Sequence, residues 1–455
     1  MSYSQSVLAQ ISLNTVQQTQ QGFGTPVFIA AHSLYADRIR AYGSLSAMID
    51  DGFLTTDNSY IAANHAFNQS PSVPSVKIGR REQDWTAFIS EAGVSSAEVF
   101  SFNIDLPSIS YSTVVSYSTV GAAETQETIL AGLKAAFDAD PTLVANLDAV
   151  ATPAASSSSL KISTKTGEEF FQISAEAGEY TSSYSATESP AVTLTQMDEE
   201  DSDYYFIVAE DKSDSYIKLM AAAVELRAAE YFVSKYDAID LGAYVEGSAV
   251  NGVFNELKDL GYDGTCTLSH QFADQYIEMA YIGSNAPYDA GSVTWCNIQA
   301  VGAGTSLNPS TGKPLSETHK GNLTSKNVNY VELDNATPYF RTGTMASGEW
   351  IDVIRGVDWM KSDITASLKS LLLGQKGTKV PYTEVGAGMV REAVMTSLQR
   401  AVNRGFINPD FTVFVPSINA LDPSQRVSRI LEGVTFEATL QGAIHQVFVQ
   451  GTVSA

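Results

Sequence analysis

The chain has 455 residues, of which 44% are apolar, and its formal net charge is −24. This length exceeds one ordinary hydrophobic core and predicts about two to four domains. The acidic balance repels phosphate groups, so we expect no nucleic acid partner and no attraction to anionic membranes. No stretch reaches the ~18 consecutive apolar residues of a membrane span, so direct membrane insertion is not expected either.

The cysteine content and the first residues of the chain both favour assembly in the cytosol. Cys266 and Cys296 are too few for a disulfide scaffold and too far apart for a CxxC motif. We interpret them as reduced thiols inside the core. The first basic residue is Arg38, so the basic segment and apolar run of a signal peptide are not seen.

Residues 1–20 are polar and rich in Gln and Ser, and they predict an N-terminal linking arm. Apolar and polar residues alternate within it, which is the period of a half-buried strand. A strand at the end of a chain has few neighbours of its own, so it frays or pairs with another sheet. The polar residues 14–21 that follow are typical of a tether. The apolar positions of the strand are Val7, Ala9, Ile11 and Leu13.

Two segments of different composition follow the arm. Residues 21–98 mix a strand near 26–30 with helical and loop segments, and we assign them to the first part of a core. Residues 99–197 are acidic and rich in Ser, Thr and Ala, with 16 acidic and 3 basic residues between 100 and 203. Short strands and one amphipathic helix predict an inserted, β-rich, peripheral domain here. The acidic cluster at 198–201 predicts a solvated exit from it.

Residues 198–345 have the pattern of an α/β middle domain. Ser248 is expected to cap a helix that Gly261 ends. Because strands alternate with helices, we expect a partly parallel sheet. The predicted strands lie at 204–209, 230–235, 265–268, 293–299 and 329–333.

Two long helices, at about 347–374 and 383–404, dominate the last third of the chain. We assign 346–442 to a C-terminal core domain and 443–455 to a C-terminal linking strand. Between 340 and 430 there are 11 basic and 8 acidic residues, so the sign of the charge is opposite to that of the insertion. The linking strand carries Val447, Val449 and Val453.

The fold class predicted from these segments is an α/β core, with a mixed sheet and flanking helices, plus an inserted β-rich domain. The chain is expected to be multidomain, with strand arms at both termini.

The sequence contains no recognisable catalytic motif, so we predict neither an enzyme nor a cofactor. Its histidines have no metal-ligand spacing, and Pro314 occupies the position that a phosphate loop gives to Ser or Thr. One pattern has a chemical interpretation. Asp211, Ser213 and Ser215 have the DxSxS spacing of metal-dependent adhesion domains, between a predicted strand and a helix. Asp and Ser are equally typical of ordinary strand-to-helix turns, which is the interpretation we favour.

Short motifs along nearly the whole chain resemble contractile phage tail sheath proteins. Their order and spacing carry the resemblance more than any one of them does. They are QGFGTP at 21–26, RAY at 40–42, AA at 62–63, FNQS at 67–70, IGR at 78–80, GSVTW at 291–295, NVNY at 327–330, SGEWID at 347–352, DWM at 358–360 and KVPYT at 379–383.

The resemblance implies a structural subunit of the virion tail that is assembled in the host bacterial cytoplasm. Such subunits stack as hexameric rings in a helical polymer around a tail tube, and contraction drives the tube through the host envelope. The implied partners are other copies of the chain, the tail tube protein, and baseplate and tail terminator proteins. The family has a core near the tail axis, with outer domains inserted into it and arms that pair with the sheets of neighbouring subunits. It has no catalytic residues.

Arg400 and Arg404 are four residues apart on the second long helix, so they share one face of it. We expect this face to lie against the tube; the alternative is that both side chains only stabilise the carboxyl end of the helix. Two other functions stay open. One is an adhesin-like, metal-dependent binding domain of a virion protein at Asp211, Ser213 and Ser215. The other is a hydrolase on the α/β core, which the absent nucleophile and base motifs disfavour.

Overall fold

The computed structural model of the chain describes residues 22–89, 98–120, 124–153, 158–165, 170–178, 180–248, 252–299, 301–334, 337–374, 379–421, 423–447 and 450. These residues divide into two compact units. The first, here called the sheet unit, holds the described residues of Gly24–Asp289, Val293–Ile354 and His445–Ala455. The second, here called the helical unit, holds those of Met1–Phe23, Ala290–Ser292 and Arg355–Ile444.

The described residues form eighteen strands and twelve α-helices. The strands are β1 (Pro26–Ala31), β2 (Ile39–Tyr42), β3 (Val76–Arg81), β4 (Gln83–Ile89), β5 (Val99–Leu106), β6 (Tyr111–Ser118), β7 (Leu147–Thr152), β8 (Ser158–Thr164), β9 (Gln172–Ala177), β10 (Tyr180–Ala186), β11 (Phe206–Ala209), β12 (Glu230–Lys235), β13 (Thr265–Ser269), β14 (Ile298–Gln299), β15 (Asn329–Asp334), β16 (Thr337–Arg341), β17 (Thr412–Phe414) and β18 (Thr435–Glu437). The helices are α1 (Leu45–Asp50), α2 (Asn58–Phe67), α3 (Gln126–Asp138), α4 (Pro141–Asn146), α5 (Pro190–Glu200), α6 (Asp214–Val224), α7 (Val253–Leu260), α8 (Glu278–Asn285), α9 (Glu317–Ser325), α10 (Ile351–Leu373), α11 (Glu384–Asn403) and α12 (Pro423–Ser428).

A nine-stranded mixed sheet organises the sheet unit, in the order β14-β16-β15-β13-β12-β11-β1-β3-β2. The run from β15 to β3 is parallel, while β2, β16 and β14 add antiparallel edges. Helices α5, α6 and α7 bury Leu194, Ile217 and Leu257 in one hydrophobic core with strand residues such as Val27 and Ile207. Because parallel strands covered by helices are buried on both faces, they form near-continuous apolar runs. The predicted α/β class and partly parallel sheet are confirmed.

Aromatic side chains fill a second part of the core around Trp295. Its ring centroid lies 5.5 Å from that of Phe206, 5.4 Å from Phe232 and 5.2 Å from Tyr281. The predicted strand at 293–299 is therefore mostly wrong, since only Ile298 and Gln299 pair with β16. The segment from Val293 to Asn297 instead places the ring of Trp295 among the other aromatic rings. The alternation of apolar and polar residues in the sequence does not reveal this role.

A β-rich layer joins the nine-stranded sheet within the same unit. Its two sheets have the orders β10-β4-β8-β7 and β6-β5-β9. Helix α3 packs on them, with Ile129, Leu133 and Phe137 buried as predicted. The β-rich segment was predicted at 99–197, but in the structure it also includes β4. Its strands extend from Gln83 to Ala186, and these two residues are paired across β4 and β10.

A cluster of buried charges surrounds the two places where the chain passes between the nine-stranded sheet and the β-rich layer. Glu82 follows β3, and Glu188 precedes α5. The guanidinium of Arg38 contacts Glu82 at 3.3 Å and Glu188 at 3.1 Å, and Arg80 contacts Glu82 at 2.9 Å. Burial raises the pKa of Glu82, while Arg80 and Arg38 act against that rise. Buried carboxylates and arginines are tolerated together because each neutralises the other.

Three local predictions differ from the structure. Residues 76–80, which we grouped with helical and loop segments, belong to the buried strand β3 between β1 and the edge strand β2, and Lys77 and Arg80 obscure its apolar pattern. Gly252, not Ser248, is the N-cap of α7, although that helix ends at Gly261 as predicted. The acidic cluster at 198–201 differs in part, because Glu199 and Glu200 are exposed as predicted while Asp201 at the end of α5 forms an ion pair with Lys77 at 2.6 Å.

Candidate functional site

The strongest candidate for a subunit-contact site is a two-stranded sheet in the helical unit. Strands β17 and β18 pair antiparallel, with Val413 opposite Phe436. All three residues of β18 are exposed, and in β17 only Val413 is buried. The side chain of Phe414 is 62% exposed and that of Phe436 is 39% exposed. Within the described residues, neither strand pairs with a second strand.

Phe406 determines where the chain leaves α11 and enters this strand pair. Its amide donates to the carbonyl of Ala401 at 3.1 Å, and its buried ring packs against Gly356 and Gly291. A Cβ atom added at Gly356 would lie 2.3 Å from the ring, so glycine is needed for the close approach. The chain then pairs with the residues after β18, and the Asn408 amide donates to the carbonyl of Thr439 at 2.8 Å.

Arg400 and Arg404 both have partners on α10. Arg400 makes three hydrogen bonds to the carboxylate of Asp363, at 3.2, 2.9 and 2.6 Å, while 42% of its side chain stays exposed. Asp363 also accepts a hydrogen bond from Ser397. The guanidinium of Arg404 lies 3.9 Å from the ring centre of the buried Trp359, a cation–π contact. Each arginine therefore contributes to packing between α10 and α11, whatever else it contacts.

The predicted linking strands are described only in part. Val7, Ala9, Ile11 and Leu13 lie outside the described residues, as do Val449 and Val453. Val447 is described, and its side chain is 75% exposed. Residues 441–444 and 446 are exposed as well, whereas His445 is half-buried in the sheet unit.

The DxSxS loop has partners that explain it without a metal ion. Asp211 pairs with Arg81 at 3.1 Å, and its Oδ1 atom accepts from the amide and the hydroxyl of Ser213. Burial acts to raise the pKa of Asp211, but these hydrogen bonds and Arg81 hold it below its ordinary value. Ser213 is the N-cap of α6, and its hydroxyl lies 3.5 Å from that of Ser215. This arrangement matches the favoured turn interpretation.

Other chemistry-bearing motifs also have structural roles. The segment at 308–313 is a turn in which Asn308 donates its amide to the carbonyl of Lys313 at 2.8 Å. Across the described ranges, no three His, Cys, Asp or Glu side chains are grouped so that they could hold a metal ion. No helix in the described part of the chain is both long and apolar enough to cross a membrane.

Comparison with known families agrees with the sequence motifs. Residues 351–426, which include α10, α11 and β17, match the family model described as "E217 tail sheath protein gp31-like, C-terminal domain". The predicted resemblance to phage tail sheath proteins is confirmed, and the role that this family supports is structural, in the tail of a virion. No curated protein matches the chain.

Two features of the site were missed by sequence reasoning. Strand β17 has only three residues, at 412–414. A segment this short cannot be distinguished from a loop by its pattern of polar and apolar residues. His445 was not singled out, because its contacts come from residues about 100 to 150 positions earlier in the chain.

Proposed function

We propose that the chain polymerises as stacked hexameric rings around a tail tube and that contraction of this polymer drives the tube through the host envelope. In this proposal the subunits assemble in the host cytoplasm and meet the tail tube, baseplate and tail terminator proteins. The observation that carries it is the exposed β17–β18 pair, which begins within the segment that matches the sheath family.

The β17–β18 pair has the properties of an acceptor for strands from another copy. An isolated two-stranded sheet is only marginally stable in water, and three or more strands are needed for independent stability. The pair exposes the rings of Phe414 and Phe436, which a third and a fourth strand would cover. Strand addition supplies main-chain hydrogen bonds for affinity and side-chain pockets for register.

The proposed donors are the N-terminal linking arm at 1–20 and the C-terminal linking strand at 443–455. The first alternates apolar and polar residues, and the second carries Val447, Val449 and Val453 on one face, so one face of each would lie on the acceptor. The tether at 14–21 has eight residues and, fully extended, spans roughly 26 Å at about 3.3 Å per residue. That reach is sufficient to bridge to an adjacent subunit.

Removal of residues 1–15 tests the exchange. We expect the truncated protein to stay folded with an unchanged melting temperature and to form no rings or tubes in negative-stain micrographs. Full-length protein at the same concentration is the control and should polymerise. If the truncated protein unfolds or aggregates, the strand belongs to its own subunit and the exchange is wrong for this arm. A full-length protein that stays monomeric across salt and concentration contradicts the sheath proposal itself.

We also propose that the helix face carrying Arg400 and Arg404 lies against an acidic tube. The Asp363 pair makes charge reversal at Arg400 a poor test, since a buried carboxylate would lose its partner. Arg404→Gln is more selective, because it removes the charge and leaves that pair in place. We expect it to weaken sheath–tube association while sheath rings still form; unchanged association excludes Arg404 from the tube contact.

The β-rich layer is proposed to be peripheral and dispensable for the polymer. Its acidity would limit adhesion between outer surfaces. Because Gln83 and Ala186 pair with each other, deletion of 84–185 leaves ends that a short Gly/Ser linker can join. The deleted variant should still polymerise. A folded variant that forms no polymer would place this layer within the lattice contacts.

A further inference from the structure

His445 is the one half-buried residue in the segment 441–447, whose other members are exposed. Ile444 beside it is 86% exposed. Within the described residues, the last backbone hydrogen bond before His445 is from the Gln441 amide to the carbonyl of Phe406, at 3.0 Å. The segment has no helix or strand of its own to hold it. Any constraint on the chain as it enters the C-terminal linking strand therefore comes mainly from the contacts of His445.

Side chains of the sheet unit form a socket around His445. The imidazole Nε2 lies 2.9 Å from the hydroxyl of Thr294, and the amide of Asn297 donates to the His445 carbonyl at 3.4 Å. The ring meets that of Trp350 edge to face, with 4.4 Å between centroids. Burial raises the pKa of Asp352, and a backbone hydrogen bond and the charge of His445 partly oppose the rise. The socket thus contacts both the side chain and the main-chain carbonyl of His445.

The residues of the socket make hydrogen bonds of their own. The hydroxyl of Thr294 accepts the Cys296 amide at 3.1 Å, and Asn297 accepts a hydrogen bond from Arg341 on β16. The neighbouring Trp295 is the anchor of the aromatic core. A group that binds to such a socket acquires a fixed position, because the socket residues are held by packing of their own.

We propose that His445 is a positioning residue, which fixes the root of the C-terminal linking strand so that the strand leaves each subunit in a defined direction toward its neighbour. The inference rests on the proposed assembly function, in which that strand pairs with another copy. A fixed root shortens the mobile tether and raises the effective concentration of the strand at its acceptor. It also reduces the entropy lost when the strand pairs.

The test compares three variants with the wild-type protein. His445→Ala removes all side-chain contacts in the socket. His445→Phe keeps an aromatic ring for Trp350 but loses the hydrogen bond to Thr294. Gln441→Ala changes an exposed residue of the same segment that lies outside the linking strand, and it is the matched control. For each, hydrogen exchange of the 441–447 amides is followed in the unassembled protein, and the critical concentration for polymerisation is measured by sedimentation.

We expect His445→Ala to accelerate exchange across 441–447 and to raise the critical concentration roughly three- to tenfold, from the longer tether and the lost contacts. His445→Phe should lie between it and the wild type, and Gln441→Ala should match the wild type. Unchanged exchange at 441–447 in His445→Ala overturns the anchor, and faster exchange with an unchanged critical concentration overturns its role in assembly. Wild-type protein that never polymerises contradicts the assembly proposal. The role of His445 as an anchor is tested separately, by hydrogen exchange in the monomer.

Discussion

The nine-stranded sheet buries its phenylalanine side chains, whereas the β17–β18 pair exposes them. Every residue of β11 and β13 is buried, and Phe232 on β12 is enclosed by Phe206 and Trp295. In contrast, Phe414 and Phe436 lie on a pair of strands that face solvent on most positions. Phenylalanine therefore completes the fold of the subunit in the first region and remains available for another molecule in the second.

The two regions also differ in how they treat charge. The sheet unit buries Arg38, Arg80, Glu82 and Asp240, each close to a group of opposite charge. The β17–β18 region exposes both apolar and polar side chains without such pairing among its strands. A protein surface keeps an exposed apolar patch at the risk of aggregation, so such a patch usually marks an interaction site. The contrast separates residues needed for folding from residues available for assembly, and four measurements test it.

The largest expected effect is on stability in the sheet. Phe232→Ala should lower the free energy of unfolding by about 4 kcal/mol, because it leaves a cavity among aromatic rings in a region that cannot collapse freely. Urea unfolding followed by circular dichroism measures the change. The matched control is Phe436→Ala, which should cost no more than about 0.5 kcal/mol. Equal losses in the two variants would remove the distinction between the regions.

The second measurement concerns the buried carboxyl of Asp240. Burial raises its pKa to about 6, although Lys235 and Lys326 act against the rise. The folded state therefore binds a proton that the unfolded state releases, so the contribution of Asp240 to stability falls as pH rises from its ordinary pKa of 3.8 through about 6. Asp240→Asn should flatten the decline of stability with pH in this window, by up to about 3 kcal/mol. An unaltered pH profile contradicts the raised pKa.

A smaller loss is expected where α10 meets α11. Arg400→Gln should cost about 2 kcal/mol, because the carboxylate of Asp363, whose side chain is only 5% exposed, loses its charged partner. The figure is below that of a fully buried pair, since Arg400 is partly solvated. Lys361→Gln on the same helix is the control, because the Lys361 side chain is 71% exposed and its pair with Asp358 at 3.2 Å is more strongly screened by solvent. Thermal unfolding that ranks Lys361→Gln as the more damaging change would contradict the structural role of Arg400.

The smallest effect on stability should accompany a large effect on assembly. Phe436→Ala removes a side chain that is already partly exposed, so the monomer should unfold as the wild type does. If the β17–β18 pair accepts strands, the variant should polymerise at a higher protein concentration or not at all. Leu226→Ala is the control, since Leu226 is 88% exposed in the sheet unit and is not part of the proposed contact. Equal assembly by both variants argues against the acceptor.

Much of the fold followed from short-range periodicity in the sequence. Strand β12 lies at Glu230–Lys235 as predicted, and α11 differs by one residue at each end from the predicted 383–404. Such segments are predictable because one periodic apolar pattern, a cap and a stop residue specify them locally. Strand β3 was missed because Lys77 and Arg80 interrupt its apolar pattern, and their partners Asp201 and Glu82 become visible only in three dimensions.

The sequence by itself therefore determined the α/β class, the two long helices and the resemblance to tail sheath proteins, all of which depend on local patterns or ordered motifs. Only the tertiary structure decided that Asp211 pairs with Arg81 and that Arg400 pairs with Asp363. It likewise decided that His445 meets Thr294 and Trp350. These contacts join residues from 37 to 151 positions apart. A side chain's partner at that separation depends on how whole elements pack, which no local pattern in the sequence specifies.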